Sequence, residues 1–199
     1  MSVAIIKYNA GNVLSVVNAM HRLGVEPVVT DDPVLLHQAD KVLFPGVGEA
    51  STTMAYLREK GLDELIRSLR QPVLGICIGL QLMCRHSEEG QVDCLGIFDT
   101  EVRRFPSVQE DGSRLKVPQM GWNTICSLQT ELFSPEMENQ YVYYVHSFYA
   151  EICDRTIARS QYGLPYSAAL HQDNFYAVQF HPEKSSRVGE RILRNFLEL

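Results

Sequence analysis

Apolar positions in the first half of the chain follow two rhythms. Val3, Ala4, Ile5 and Ile6 form a short continuous run, and Val13, Val16, Val17, Met20 and Leu23 then recur at helical spacing before Gly24. The first pattern predicts a buried strand, the second a helix closed by a glycine. Residues 27–30 and 41–44 are the next strands. Met54, Leu57, Leu62, Leu65, Ile66 and Leu69 fall on one helix face, and residues 72–76 supply another strand. Such alternation predicts a parallel sheet with helices on its faces.

The second half changes rhythm. Residues 101–105, 141–145, 155–160, 167–171 and 175–180 read as strands, several joined by turns such as Gln172-Asp173-Asn174, which predicts antiparallel additions to the sheet. Val188, Ile192, Leu193, Phe196 and Leu197 mark a closing amphipathic helix. The expected class is α/β, with one domain over residues 1–199.

Composition narrows the class further. With 199 residues, 45% of them hydrophobic, the chain can bury a sizeable core. A formal net charge of -6 argues against sequence-independent nucleic-acid binding, which needs a basic face. No apolar run approaches the roughly 18 to 20 residues of a membrane span, and the first residues lack the layout of a signal peptide. A cytoplasmic protein is expected, with no membrane partner. Cys77, Cys84, Cys94, Cys126 and Cys153 are odd in number and form no CxxC pair, so they read as reduced thiols. No histidine spacing implies a metal, and no cofactor is expected.

Chemistry enters at Gly75-Ile76-Cys77-Ile78-Gly79-Leu80-Gln81, directly after the apolar run at 72–74. A cysteine in apolar sequence is ordinarily an inert core thiol. Flanking glycines point instead to a nucleophile on a sharp strand-to-helix turn, where strand and helix approach closely. His181-Pro182-Glu183 provides the complementary pieces. An imidazole takes the thiol proton, and a carboxylate fixes its tautomer and stabilises the imidazolium. Acyl transfer also needs donors toward a developing oxyanion. The N–H of Ile78 is one, and the Pro45-Gly46-Val47-Gly48 stretch can supply another through Val47. Ligand chemistry in open parallel sheets sits beyond the carboxyl ends of the strands, where all three segments fall.

Taken together, Gly75-x-Cys77-x-Gly79-x-Gln81, His181-Pro182-Glu183 and Pro45-Gly46-Val47-Gly48 resemble the class I (triad) glutamine amidotransferases. Further segments are Tyr8-x-x-Gly11-Asn12, Val117-Pro118-Gln119-Met120-Gly121-Trp122-Asn123, Val145-His146-Ser147-Phe148 and the continuation into Lys184-Ser185. In order and spacing these are similar to one branch, the glutaminase subunits of imidazole glycerol phosphate synthases. The resemblance implies a flavodoxin-like three-layer sandwich and hydrolysis of L-glutamine to glutamate and ammonia. Ammonia would pass to a separate (β/α)8-barrel cyclase subunit in a heterodimer serving histidine biosynthesis. Cys77 would form the glutamyl thioester, His181 would be base and then acid, and Glu183 would orient it. Val47 and Ile78 would donate to the oxyanion, and Gly48, Gln81, Ser147 and Phe148 would hold the α-amino and carboxylate ends of the substrate. Trp122, Lys184 and Gln119 would face the partner.

Four positions depart from the branch pattern: Lys7, Asn9, Gln119 where histidine is common, and Phe148 where tyrosine is frequent. None belongs to the triad. Three other readings stand beside this one: a glutaminase for a different acceptor, of the anthranilate or aminodeoxychorismate type; a non-catalytic module of the same fold; and a thiol hydrolase or chaperone of the wider flavodoxin-like superfamily.

Overall fold

The computed structural model describes residues 1–8, 13–109 and 111–199. Its first half runs β1 (Val3–Ile6), α1 (Val13–Arg22), β2 (Val28–Thr30), α2 (Pro33–Gln38), β3 (Lys41–Gly46), α3 (Ala50–Glu59), α4 (Leu62–Ser68), β4 (Val73–Cys77) and α5 (Ile78–Met83). The second half adds β5 (His86–Ser87), β6 (Val92–Asp93), β7 (Glu101–Arg104), β8 (Gln119–Thr124), β9 (Tyr141–His146), β10 (Phe148–Ala150), β11 (Thr156–Tyr162), β12 (Leu164–Gln172), β13 (Phe175–Val178) and α6 (Ser186–Glu198).

The strands β2-β1-β3-β4-β13 lie side by side and parallel. This is the flavodoxin-like order, with its switch point between β1 and β3. Antiparallel pairing begins at β12 and continues through β10 to β7, with β11 on β12 and the short β5 and β6 beyond. A separate two-stranded ribbon, β8-β9, carries the Met-Gly-Trp-Asn segment.

Alternation along the parallel strands explains the three layers. Val3, Ile5, Leu43, Leu74, Ile76, Tyr176 and Val178 face one apolar cluster, which they share with Met20 of α1 and with Ile192 and Phe196 of α6. Ala4, Ile6, Val42, Phe44, Val73, Phe175 and Ala177 face the other, which includes Met54, Leu57, Leu65 and Ile66 of α3 and α4. Successive strand residues point to opposite faces. A strand buried on both sides therefore shows the unbroken apolar runs seen in the sequence.

The structure also departs from the expected elements, and the short strands β5, β6 and β10 are additions to them. The face from Met54 to Leu69 belongs to two helices, because Gly61 adopts a left-handed conformation (φ 65°) between them. A short helix, α2, was not expected; Asp32 caps it by accepting from the Val34 N–H at 2.8 Å, and Pro33 opens it. The ribbon strand β8 was not expected either, since Gly121 and polar Asn123 interrupt its apolar pattern. No helix among the described residues is long and apolar enough to cross a membrane.

Candidate active site

Strand β4 is central, and its last residue is Cys77. Gly46 at the end of β3 pairs directly with Cys77, and on the other side β13 pairs with β4 before the chain reaches His181. The fold thus brings the glycine-rich loop, the thiol and the imidazole to one end of three adjacent strands.

Cys77 has φ 55° and ψ -105°, a positive φ on a non-glycine residue, and α5 begins at the next residue. Strain of this kind is sustained only where the surroundings fix it. Here the two glycines do so. A Cβ at Gly79 would overlap the carbonyl oxygen of Phe44, and one at Gly75 would lie 3.0 Å from the Gly79 carbonyl carbon and from Met83 Sδ. Strand, elbow and helix fit together because both positions lack a side chain.

His181 Nδ1 meets Glu183 Oε1 at 2.8 Å, and the two side chains are only 2% and 1% exposed. Burial alone would push the imidazole down. The neighbouring Cys77 and Glu183, both of which favour the charged ring, outweigh it and raise His181 from 6.5 to about 10. His181 Nε2 is buried without a formed hydrogen bond among the described residues. Ser185 holds the main chain of this turn, donating from Oγ to the His181 carbonyl at 2.6 Å and accepting the Tyr143 N–H at 2.9 Å. The His181 N–H in turn donates to the Tyr143 carbonyl at 2.9 Å.

A cleft of about 240 Å³ opens over Cys77, lined by Val47, Gly48, Ile78, Gln81, Glu89, Pro118, Val145, His146, Ser147 and Phe148. It brings the expected thiol, loop and pocket residues to one surface, while the buried His181–Glu183 pair lies outside its lining. Gln81 donates from Nε2 to the Phe148 carbonyl at 2.9 Å and to Gln179 Oε1 at 3.0 Å. Both amide hydrogens are thus engaged, leaving Oε1 as the atom Gln81 can offer a ligand. At position 148 it is the main-chain carbonyl, not the ring, that orders this wall.

Four residues had no role assigned from the sequence. Glu89 brings a carboxylate to the cleft; burial raises its pKa, and its Oε2 accepts the Ala50 N–H at 2.9 Å. Ser185 clamps the His181 turn. His146 is buried against Phe148 O at 2.7 Å and Gln119 Oε1 at 3.1 Å. Burial, and then the neighbouring His181, bring it down to about 4. A neutral ring carries one N–H, which the shorter contact to a carbonyl claims. Gln179, fully buried, reaches both Gln81 and Cys77. Its signal was a polar residue closing an apolar strand.

Gln119 requires correction. It was expected to face a partner, yet its side chain is buried, with Tyr166 Oη donating to its Oε1 at 3.0 Å and the His146 ring packed beside it. The alternation of β8 turns it inward opposite His146. Trp122 is 52% exposed and Lys184 is exposed. Asn9, Gly11 and Asn12 lie outside the described residues.

The family described as glutamine amidotransferase class-I matches residues 5–199. Imidazole glycerol phosphate synthase subunit HisH of Bacteroides thetaiotaomicron is 62% identical over 200 residues, covering all of both chains. Its counterpart of the same name from Yersinia pseudotuberculosis is 43% identical, again over all of both. Among solved structures, a glutamine amidotransferase from Thermotoga maritima superposes with a TM-score of 0.64 at 16% identity, covering 100% of this chain and 83% of that one, a likeness of fold. Elbow, buried His–Glu pair and full-length match agree: the chain belongs to the class-I glutamine amidotransferases.

Proposed function

We infer that the chain is the glutaminase subunit of an imidazole glycerol phosphate synthase, hydrolysing L-glutamine and delivering ammonia to a cyclase subunit. The observation that carries the reading is the buried His181–Glu183 pair acting on an elbow cysteine, in a chain 62% identical throughout to a subunit of that synthase. The finer parts of the reading are that the partner is a (β/α)8 barrel, that the pair is a heterodimer and that it works in the cytoplasm. Five free cysteines support a reducing compartment.

His181 takes the proton of the Cys77 thiol, the sulfur attacks the carboxamide carbon of glutamine, and the C=O electrons move onto oxygen. The N–H groups of Val47 and Ile78 receive that oxyanion. His181, held protonated by Glu183, gives its proton to the departing amine, so ammonia leaves and a glutamyl thioester remains. Neutral His181 then takes a proton from water as the water oxygen attacks the thioester. Collapse of the second adduct expels the sulfur and releases glutamate.

Substrate recognition follows from charge. Gln81 Oε1 and the Glu89 carboxylate are acceptors suited to an α-ammonium, while Gly48, Ser147 and Phe148 hold the carboxylate end. A pocket whose buried polar groups are satisfied only by glutamine rejects analogues that leave them unpaired.

The test mixes the chain with a barrel cyclase partner and measures product from glutamine and, separately, from an ammonium salt. The unmodified pair uses both nitrogen sources. Cys77→Ala loses the first and keeps the second, and a glutamine-like electrophile labels the Cys77 peptide rather than those of the other four cysteines. Glutamine-dependent turnover surviving in Cys77→Ala would remove the assignment, and product from neither source with intact chains would remove the pairing.

A further inference from the structure

Four buried groups form a directional chain that ends on the nucleophile. The Phe148 carbonyl can only accept, so the nitrogen of the Gln81 carboxamide must face it, at 2.9 Å. The second N–H of that nitrogen then needs an acceptor, and Gln179 turns its Oε1 to it at 3.0 Å. A carboxamide whose oxygen is fixed has its nitrogen fixed too. Gln179 Nε2 consequently points at Cys77 Sγ, 3.8 Å away, within reach of an N–H donor to sulfur. Gln179 is fully buried and Gln81 is 4% exposed, so water does not compete for these bonds. On its other side the thiol meets the Val145 carbonyl, at 3.9 Å.

We propose that Gln179 is a positioning residue for the reaction: its side-chain N–H is aimed at the sulfur by a polarity relayed from the Phe148 carbonyl through Gln81, and it favours the thiolate of Cys77. His181 supplies charge to the thiolate, and Gln179 supplies a fixed dipole that stays in place after His181 has given its proton away. The relay also couples the substrate pocket to the nucleophile. Gln81 forms the pocket wall with Oε1 and holds Gln179 with Nε2, so a ligand that pulls Gln81 also reorients the donor on the sulfur. The proposal deepens the glutaminase reading, but its core claim concerns thiol chemistry and stands on the four groups named.

The experiment is therefore placed on the thiol. Iodoacetamide alkylation of Cys77, followed by peptide mass across a pH series, gives the midpoint of nucleophile ionisation in the full chain without glutamine or partner. A hydrogen bond to a charged group is worth on the order of one pH unit or more. Gln179→Met, which keeps the volume and removes both polar ends, raises the midpoint by about that amount. Gln179→Glu, which keeps the shape and replaces the donor with an acidic oxygen, raises it further. In glutamine turnover both variants lower kcat by about tenfold or more, with KM changing less than kcat. A purely structural role predicts the reverse order, with the isosteric glutamate variant the milder. A folded variant of either kind, with the parent's thermal midpoint and the parent's alkylation profile, would overturn the proposal. If neither variant folds, the Gln179 side-chain amide protons of the unmodified protein, followed by NMR, must shift with the alkylation midpoint of Cys77, and amide protons that stay fixed overturn it. A parent that alkylates as described but does not cleave glutamine would fail the functional reading and leave the relay standing.

Discussion

The backbone of Gly79 packs against the carbonyl of Phe44 so closely that a methyl group there would occupy the oxygen's position. This contact joins the first turn of α5 to the end of β3 and holds Cys77 at its positive φ. Gly79→Ala must push the helix off the sheet. It is expected to destabilise the protein by about 1–3 kcal/mol and to slow alkylation of Cys77. Gly24→Ala is the control. Its added methyl meets nothing within 4 Å, although its φ of 77° is unfavourable, so it loses about 1 kcal/mol and leaves Cys77 reactivity intact. Thermal unfolding and alkylation rates on the two variants check both halves.

What the sequence could and could not reveal follows from the same geometry. Parallel strands buried on both faces write themselves as apolar runs, and the elbow writes itself as two glycines around a cysteine, so the sheet and the elbow were both readable. Pairing partners are another matter. Gln119 was expected at the partner because the resemblance implies it for its segment, yet only its neighbours Met120 and Trp122 are exposed, at 63% and 52%. A one-residue step along β8 reverses the face, and no local pattern states which side of a two-stranded ribbon is inward. Gln179 and Glu89 belong to the site through contacts across 98 and 39 residues of chain, and short-range periodicity does not register such distances. The break at Gly61 was present as a residue. Its left-handed conformation was not.

Glu183→Gln keeps the shape of the side chain and removes the charge that helps hold His181 at about 10. The imidazole then loses its proton at lower pH. For a catalytic acid the sign is fixed: the alkaline fall in kcat/KM moves downward. The fall in kcat at neutral pH is expected to exceed about tenfold, near 1.4 kcal/mol, and to remain smaller than the loss from Cys77→Ala. Effects within such a unit do not add, so the double variant should resemble Cys77→Ala alone. A kcat within about twofold of the parent would send the search to another carboxylate.

His146 provides a stability test. Its folded value near 4 lies below the ordinary 6.5 because the ring is buried, so between those values the unfolded chain binds a proton that the folded chain refuses. Stability from this group is fully present above pH 6.5 and is lost as the pH falls toward 4, by about 3 kcal/mol in all. His146→Gln, which can still donate to the Phe148 carbonyl, should be flatter than the parent over this range. Urea unfolding at intervals between pH 4 and 7 measures the two slopes. Equal slopes would mean that the ring does not stay neutral in the folded state.

The last prediction concerns control by the partner. Ammonia released without an acceptor is lost, so the isolated chain is expected to be a poor glutaminase, stimulated when the cyclase partner and its ligand bind. One route runs through the ribbon. The Trp122 ring packs edge-on against Tyr143, 5.9 Å between centroids, and the Tyr143 carbonyl accepts the His181 N–H at 2.9 Å. Lys184 stands exposed beside Glu183 in the same turn. A second route is the loop after β3, where one peptide rotation would turn the Val47 N–H toward or away from the oxyanion, eased by glycines on both sides. Losing one such donor is expected to lower kcat by roughly a hundredfold or more, enough for a switch. Trp122→Ala and Lys184→Ala should therefore weaken stimulation by partner and ligand more than they weaken basal hydrolysis. Steady-state glutaminase rates for the chain alone, with partner, and with partner plus ligand decide the matter, and an isolated chain already turning over at the rate of the liganded complex would exclude gating.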